Sequence, residues 1–237
     1  MLTRGWYGDC SRSCICDSAI ATTPGESWPI AWRTTAERTS WSFGMARGGV
    51  VVAYEVAVAL DAPLDVMVVR KIGLPWQPEF AIGAVAPGVT VLREDVVKSA
   101  GIPKEVVERV ASLEHGSMEN DLCRYRGGLP AERIAGRTAI LVDDGLATGT
   151  SAVAAIRSVR TEKPERVVLG EPVCAAQSAE LLRGQADEVV CVLESDDLVS
   201  VGLWYEDFAQ VEDDEVRRLV HLARERAAAH EAASHHA

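Results

Sequence analysis

A chain of 237 residues, 48% of them hydrophobic and with a formal charge of -11, is long enough to bury one full α/β core. No run of about eighteen apolar residues is present, so no membrane span is expected, and eleven acids without a Lys or Arg between residues 187 and 215 argue against a general nucleic-acid surface. The acidic run reads as a solvated face, apart from Glu206 and Asp207. Residues 1–43 hold three of the six Cys and four of the six Trp, with no sustained helical or alternating period, and predict a loosely packed segment. Cys10, Cys14 and Cys16 lack paired zinc spacing, and no clean signal peptide is visible. The composition changes abruptly at Gly44, consistent with an altered reading frame or a misassigned start that the coding DNA would decide. Trp41 stands apart, because Ser40 to Ala46 can form a strand entering the next loop.

From Gly44 the pattern becomes strand, loop and helix. Gly44-Met45-Ala46-Arg47-Gly48-Gly49-Val50 precedes the helical run Val51 to Leu60, then Asp61-Ala62-Pro63 and a strand from Leu64 to Val69. An Arg between small residues ahead of a helix offers amide donors and a guanidinium fork to an anion. That strand is expected to end in Arg70-Lys71, where the two cations either face the same crevice as Arg47 or form a solvent-facing terminus. Trp76, between Pro75 and Pro78, reads as a lid element or a packing anchor. Val85 to Arg93 carries a Pro87-Gly88 turn between extended runs and predicts a hairpin. Ile102 to Tyr125 predicts a helix interrupted near Gly116, with Val106, Val110, Leu113, Met118, Leu122 and Tyr125 on its apolar stripe.

The most informative stretch comes next. Arg137 to Val142 reads as a buried parallel strand, followed by Asp143-Asp144-Gly145-Leu146-Ala147-Thr148-Gly149-Thr150 and a helix over Ser151 to Val159. A small-residue turn at a strand's carboxyl end, opening a helix, points its amides outward and suits a phosphate, with the Thr148 and Thr150 hydroxyls beside them. Asp143 and Asp144 cannot bind that phosphate. They make sense as acceptors for vicinal ribose hydroxyls, or as holders of water around a magnesium ion. Strands at Arg166 to Gly170 and Glu188 to Val192 around a helix at Ala175 to Arg183 complete an alternating β/α pattern, and Asp213 onward predicts a last helix. Its tail, with His230, His235 and His236, reads as a polar terminus; Cys123, Cys174 and Cys191 read as reduced residues of a cytoplasmic protein.

The Asp143 to Thr150 stretch resembles the PRPP-binding motif of the type I phosphoribosyltransferases: strand, acid pair, small residues, Thr-Gly and a closing hydroxyl. Gly44 to Val50 resembles that family's pyrophosphate loop, which often carries a non-proline cis peptide. Over residues 44 to 212 the likeness is to a bacterial stand-alone subgroup that shares the Arg-Lys-x-Gly-x-Pro-x-x-Pro-Glu stretch at Arg70. The resemblance implies a mainly parallel sheet flanked by helices over 44–212, with a hood inserted at about 72–128 and a carboxy-terminal helix and tail at 213–237. It implies that Asp143 and Asp144 hold the ribose, that Gly145, Leu146, Ala147, Thr148, Gly149 and Thr150 hold the 5′-phosphate, and that Arg47, Gly48 and Lys71 hold pyrophosphate. Asp143, Asp144, Arg47 and Lys71 form the implied catalytic set. More loosely, Val199 to Phe208 is similar to the hood of the hypoxanthine-guanine branch, where Trp204 or Phe208 would stack on a base and Asp207 would meet a metal; an aromatic cluster closing the core is the alternative.

The implied activity is magnesium-dependent transfer of a phosphoribosyl group from PRPP to a nitrogen nucleophile, a nucleobase above all, in a cytoplasmic homodimer without nucleic-acid or membrane partners. A non-catalytic PRPP-binding regulator is the rival, and a phosphate module unconnected to ribose would leave Asp143 and Asp144 unexplained. Base recognition depends on the hood, so the acceptor is not legible from the cradle.

Overall fold

The computed structural model of the chain describes residues 40–74, 76–131 and 133–234; the expectations for residues 1–39 and for the His235-His236 tail lie outside them. Eight strands are present: β1 Ser40–Met45, β2 Leu64–Met67, β3 Arg70–Leu74, β4 Gln77–Ala86, β5 Val89–Leu92, β6 Thr138–Val142, β7 Arg166–Ala175 and β8 Glu188–Ser195 among the described residues. Five of them form a parallel central sheet in the order β2-β1-β6-β7-β8, and the other three form an antiparallel sheet in the order β3-β4-β5. The helices are α1 Gly48–Leu60, α2 Glu94–Ser99, α3 Lys104–Arg126, α4 Thr150–Thr161, α5 Ala176–Arg183 and α6 Asp213–Ser234.

The central strands are apolar on both faces because both faces are covered. Alternation sends Ile140 and Val142 to a core shared with Val50 and Ala53 of α1 and with Val216 and Val220 of α6. Ala139 and Leu141 go to the other core, with Phe43, Leu169, Ile156 of α4 and Leu182 of α5. Helix α1 ends where Asp61 turns left-handed (φ 52°), two residues before Pro63, and its cap amide reaches the Ala57 and Val58 carbonyls.

Several expectations are corrected. The run from Leu64 to Val69 is not one strand: β2 stops at Met67, and Arg70 and Lys71 open β3 of the antiparallel sheet instead of closing β2. A run that is apolar apart from Asp65 says that residues are buried, not that they stay in one sheet. Helix α3 passes through Gly116 without a break, its length and caps outweighing a cost of about 1 kcal/mol for one Gly. Its buried stripe is Val107, Ala111, Met118 and Tyr125, and the expected Leu113 is 67% exposed. Trp76 is 64% exposed in the turn before β4, so it is not a packing anchor. Strand β7 runs on to Ala175, five residues beyond the expected end. Cys174 and Cys191, expected reduced, are joined as a disulfide between β7 and β8; a separation of 17 along the chain does not announce that the strands bring them together. The Pro87-Gly88 hairpin forms as expected between β4 and β5.

The two sheets are tied through α4. Ala154 of that helix packs with Ala84, Ala86 and Val91 of the hairpin, and the Ser158 hydroxyl donates to the Pro87 carbonyl at 2.7 Å. The antiparallel sheet is thereby held over the carboxyl ends of β1 and β6, the crevice where open α/β sheets bind ligands.

Candidate active site

A cleft of about 570 Å³ opens at those strand ends. It is lined on one side by Asp143, Asp144, Gly145, Leu146, Ala147, Thr148 and Gly149, and on the other by Ala46, Arg47, Gly48, Arg70 and Lys71. The structure thus gathers most of the residues expected from the sequence. Thr150 opens α4 behind the loop, and Ser151 lines the cleft in its place.

The phosphate-type loop is built by pairing its ends and leaving its middle free. Leu146 donates to Val173 and accepts from Ala175, both at 2.8 Å, which stitches the loop to the end of β7. The Ser178 hydroxyl donates to the Ala147 carbonyl at 2.6 Å. Among the described residues, the amides of Ala147, Thr148 and Gly149 donate to no backbone carbonyl, so they remain available to an anion at the start of α4.

The opposite loop packs directly on the acid pair. A Cβ added to Gly48 would collide with the Asp144 carboxylate, and one added to Gly49 would lie 2.7 Å from Asp143 Cα. Only glycine permits that approach. The Ala46–Arg47 peptide is cis, as the resemblance leads one to expect. Lys71 and Arg70 differ in their employment: Lys71 is exposed at the cleft, whereas Arg70 is held by Glu114 (Nε to Oε2, 2.7 Å) and Asp121 (3.1 Å) of α3. Glu114 itself lines the cleft, a residue that sequence reasoning did not single out.

Charge at the floor is strongly unbalanced. Burial and the adjacent Asp144 push the Asp143 carboxyl up to about 8, against the opposing pull of the Asp144 amide, which donates to it at 2.9 Å, and of Lys71. Burial pushes Asp144 up to about 6. Behind them lies Glu171, 1% exposed, with no hydrogen-bond partner for either carboxylate oxygen among the described residues. Val142 pairs with Gly170, so continuing the register by one residue sets Glu171 beside Asp143 on neighbouring strands. Burial, then Asp143 and Asp144, raise its carboxyl well above the ordinary range.

Stability should follow from these shifts. Raised carboxyls hold protons in the folded state that the unfolded chain has lost, so stability is highest in the ordinary carboxylate range and falls as pH rises through about 6 and about 8. Thermal unfolding without divalent cation is expected to give a lower midpoint at pH 8 than at pH 5. Glu171→Met should stabilise the fold at pH 8 by on the order of 1–3 kcal/mol, read as a higher midpoint, and flatten the dependence. A midpoint that ignores both pH and the substitution would mean that neither burial nor mutual repulsion holds protons on these carboxyls in the folded state.

An excess of hard oxygen donors of this kind fits a magnesium ion at Asp143 and Asp144. Among the described residues no three His, Cys, Asp or Glu side chains are arranged to hold an ion unaided, so water or ligand oxygens would have to complete its shell. Asp207 does not fit that role, being exposed and outside the cleft lining. Trp204 and Phe208 are likewise absent from the lining. Phe208 packs against Tyr205 with ring centroids 5.2 Å apart and crowds Gly202. The hood segment reaches the site through other residues: Val201, in a short 3-10 turn at Val201–Trp204, lines the cleft, and the Tyr205 hydroxyl donates to the Asp144 carbonyl.

Comparison with known proteins agrees with this geometry. The profile of a family described as phosphoribosyl transferase domain matches residues 43–207. Two curated Mycobacterium tuberculosis proteins named provisionally as phosphoribosyl transferases, Rv0571c of strain H37Rv and MT0597 of strain CDC 1551, are each 42% identical over 174 residues. That alignment covers 73% of this chain but only 39% of either relative's length. The crystal structure of TT1426 from Thermus thermophilus superposes with a TM-score of 0.70 at 38% identity, covering 83% of this chain and 94% of that one. No helix among the described residues is long and apolar enough to cross a membrane.

Proposed function

This chain belongs to the phosphoribosyl transferase family, and from that premise we propose that it transfers a phosphoribosyl group from PRPP to a nitrogen nucleophile, a nucleobase being the favoured class, and releases pyrophosphate. The observation that carries the reading is the division of the cleft: an acid pair and a free-amide loop on one side, Arg47 and Lys71 on the other. A site for phosphate alone has no use for two carboxylates at its floor.

In this reading the Ala147 to Gly149 amides and the Thr148 hydroxyl seat the 5′-phosphate, and Asp143 and Asp144 accept hydrogen bonds from the ribose hydroxyls. The bond from C1 to the pyrophosphate oxygen breaks as the bond from C1 to the acceptor nitrogen forms, with positive charge developing on the sugar and the proton of the acceptor nitrogen leaving to water or to the departing pyrophosphate. The acid pair lies where it would favour that charge. Arg47 and Lys71 receive the negative charge that collects on the leaving pyrophosphate. Magnesium, when bound through Asp143, Asp144, water and substrate oxygens, would neutralise part of the diphosphate charge. No covalent nucleophile is needed. Val201 borders the cleft from the hood side and is the better candidate for contact with the acceptor than Trp204, Asp207 or Phe208, while Tyr205 braces the Asp144 backbone.

Arg47→Ala is expected to weaken pyrophosphate binding on the order of ten-fold or more while leaving ribose 5-phosphate within about two-fold, measured by calorimetry with magnesium. Equal losses for both ligands would show that the cleft is not divided in this way. Pyrophosphate release over a panel of nucleobases then separates a transferase from a PRPP-binding regulator, which would bind PRPP and turn over none.

A further inference from the structure

Helix α6 begins at Asp213, beyond the end of the family match at residue 207, yet its first carboxylate lies beside Arg47, which lines the cleft. Asp213 Oδ1 accepts from the Tyr125 hydroxyl at 2.9 Å, and Oδ2 is bound by the Arg124 guanidinium, both on α3. Arg47 Nη1 lies 3.7 Å from Oδ1, with each side chain 33% exposed. The carboxylate is therefore fixed by α3, and its charge is what reaches Arg47. At that separation the guanidinium is attracted without spending its hydrogen-bond donors.

The other side of Arg47 makes such an attraction useful. Arg47 borders a recess of about 130 Å³ that it shares with Arg70, Asp121 and Tyr125. Arg70 is already locked to Glu114 and Asp121, so those carboxylates are committed to it and Asp213 is the carboxylate that Arg47 pairs with. An arginine on a partly exposed loop with no fixed anion beside it would spend much of its time turned to solvent. Asp213 opposes that tendency. We propose that Asp213 is a positioning residue that holds Arg47 at the pyrophosphate side of the cleft, making α6 part of the site although it lies outside the matched family domain. The inference rests on the assignment of Arg47 to pyrophosphate.

Two physical effects of removing Asp213 have opposite signs, which makes the test decisive. Loss of an anchor weakens pyrophosphate binding, because the ligand must then order the Arg47 side chain itself. Loss of a negative charge near an anion site strengthens it. Calorimetry on the full chain with magnesium, using inorganic pyrophosphate and ribose 5-phosphate as probes, is expected to show Asp213→Asn weakening pyrophosphate about five-fold, the upper end for a partly exposed ion pair. Ribose 5-phosphate should stay within about two-fold, Asp213→Glu should restore most of the loss, and Asp213→Asn should add nothing in an Arg47→Ala background. Tyr125→Phe, which frees Oδ1 but keeps the charge, should shift pyrophosphate in the same direction by less and serves if Asp213→Asn folds poorly. Unchanged or tighter pyrophosphate binding in Asp213→Asn, with Arg47→Ala still weakening it, overturns the positioning role alone. If Arg47→Ala leaves pyrophosphate untouched, the assignment of Arg47 falls and this inference falls with it.

Discussion

Asp144→Asn is expected to weaken PRPP and ribose 5-phosphate binding roughly ten- to hundred-fold while leaving inorganic phosphate within about two-fold and the fold intact. An ionised carboxylate can accept from two vicinal hydroxyls, whereas an amide keeps one acceptor oxygen and turns two donors toward them. The replacement should not disturb packing. Asp144 meets Gly48 closely, but Asn has the same shape, and burial of the Asp144 carboxyl already opposes its ionisation. The thermal midpoint is therefore expected to hold or rise as ligand binding falls, the pattern of a residue kept for function at a cost in stability. Calorimetry with phosphate, ribose 5-phosphate and PRPP in parallel checks it. Equal affinity of the variant and the parent for PRPP would remove ribose from the reading and leave a phosphate-binding loop.

The cradle is legible in the sequence because its chemistry is local. Strand, acid pair, Thr-Gly and helix follow one another within Thr138 to Thr161, so hydropathy period and residue type carry the geometry. The Arg47 loop is legible for the same reason. What cannot be read is what arrives from elsewhere in the chain. Glu114, Glu171 and Asp213 come from a hood helix, a neighbouring strand and the last helix, and nothing in the immediate sequence of Glu114 or Asp213 sets them apart from solvated acids. Asp213 indeed lies inside the run that reads as a solvated face. Glu171 carries a weak signal, a charged residue within Val167 to Cys174, otherwise apolar or small, which is unusual for a strand buried on both faces. The misplaced end of β2 has a different cause. Leu64 to Val69 is apolar apart from Asp65 and buried as far as Val68, and a change of sheet leaves no mark on hydropathy.

Asp65→Asn is expected to destabilise the protein by about 3–5 kcal/mol, the cost of breaking a buried ion cluster from one side. Asp65 sits on β2 with 0% exposure, and two guanidiniums converge on it from the helices that cover that face. Arg126, near the end of α3, approaches at 2.9 Å, and Arg224 of α6 at 3.1 Å; both are only 14% exposed. One carboxylate thus already serves two cations, and the Arg224 Nε has no acceptor of its own. Replacing Asp65 by Asn would leave two nearly buried positive charges with no anion between them. Such a group is weak evidence for stability in itself, because desolvation offsets its attraction, so the loss on removing one partner must be separated from the net worth of the cluster. The triple change Asp65→Leu, Arg126→Met, Arg224→Met makes that separation and should recover most of what Asp65→Asn loses. Denaturant unfolding of the full chain measures both, with the slope checked for a change in surface exposed. A loss under about 1 kcal/mol in Asp65→Asn would mean that the guanidiniums swing out to water and that α6 is secured by its apolar residues Val216, Leu219, Val220 and Ala223 together with its other polar contacts. A large loss would identify Asp65 as a point where β2 fastens both α3 and α6, the two helices whose Tyr125, Arg124 and Asp213 meet beside Arg47.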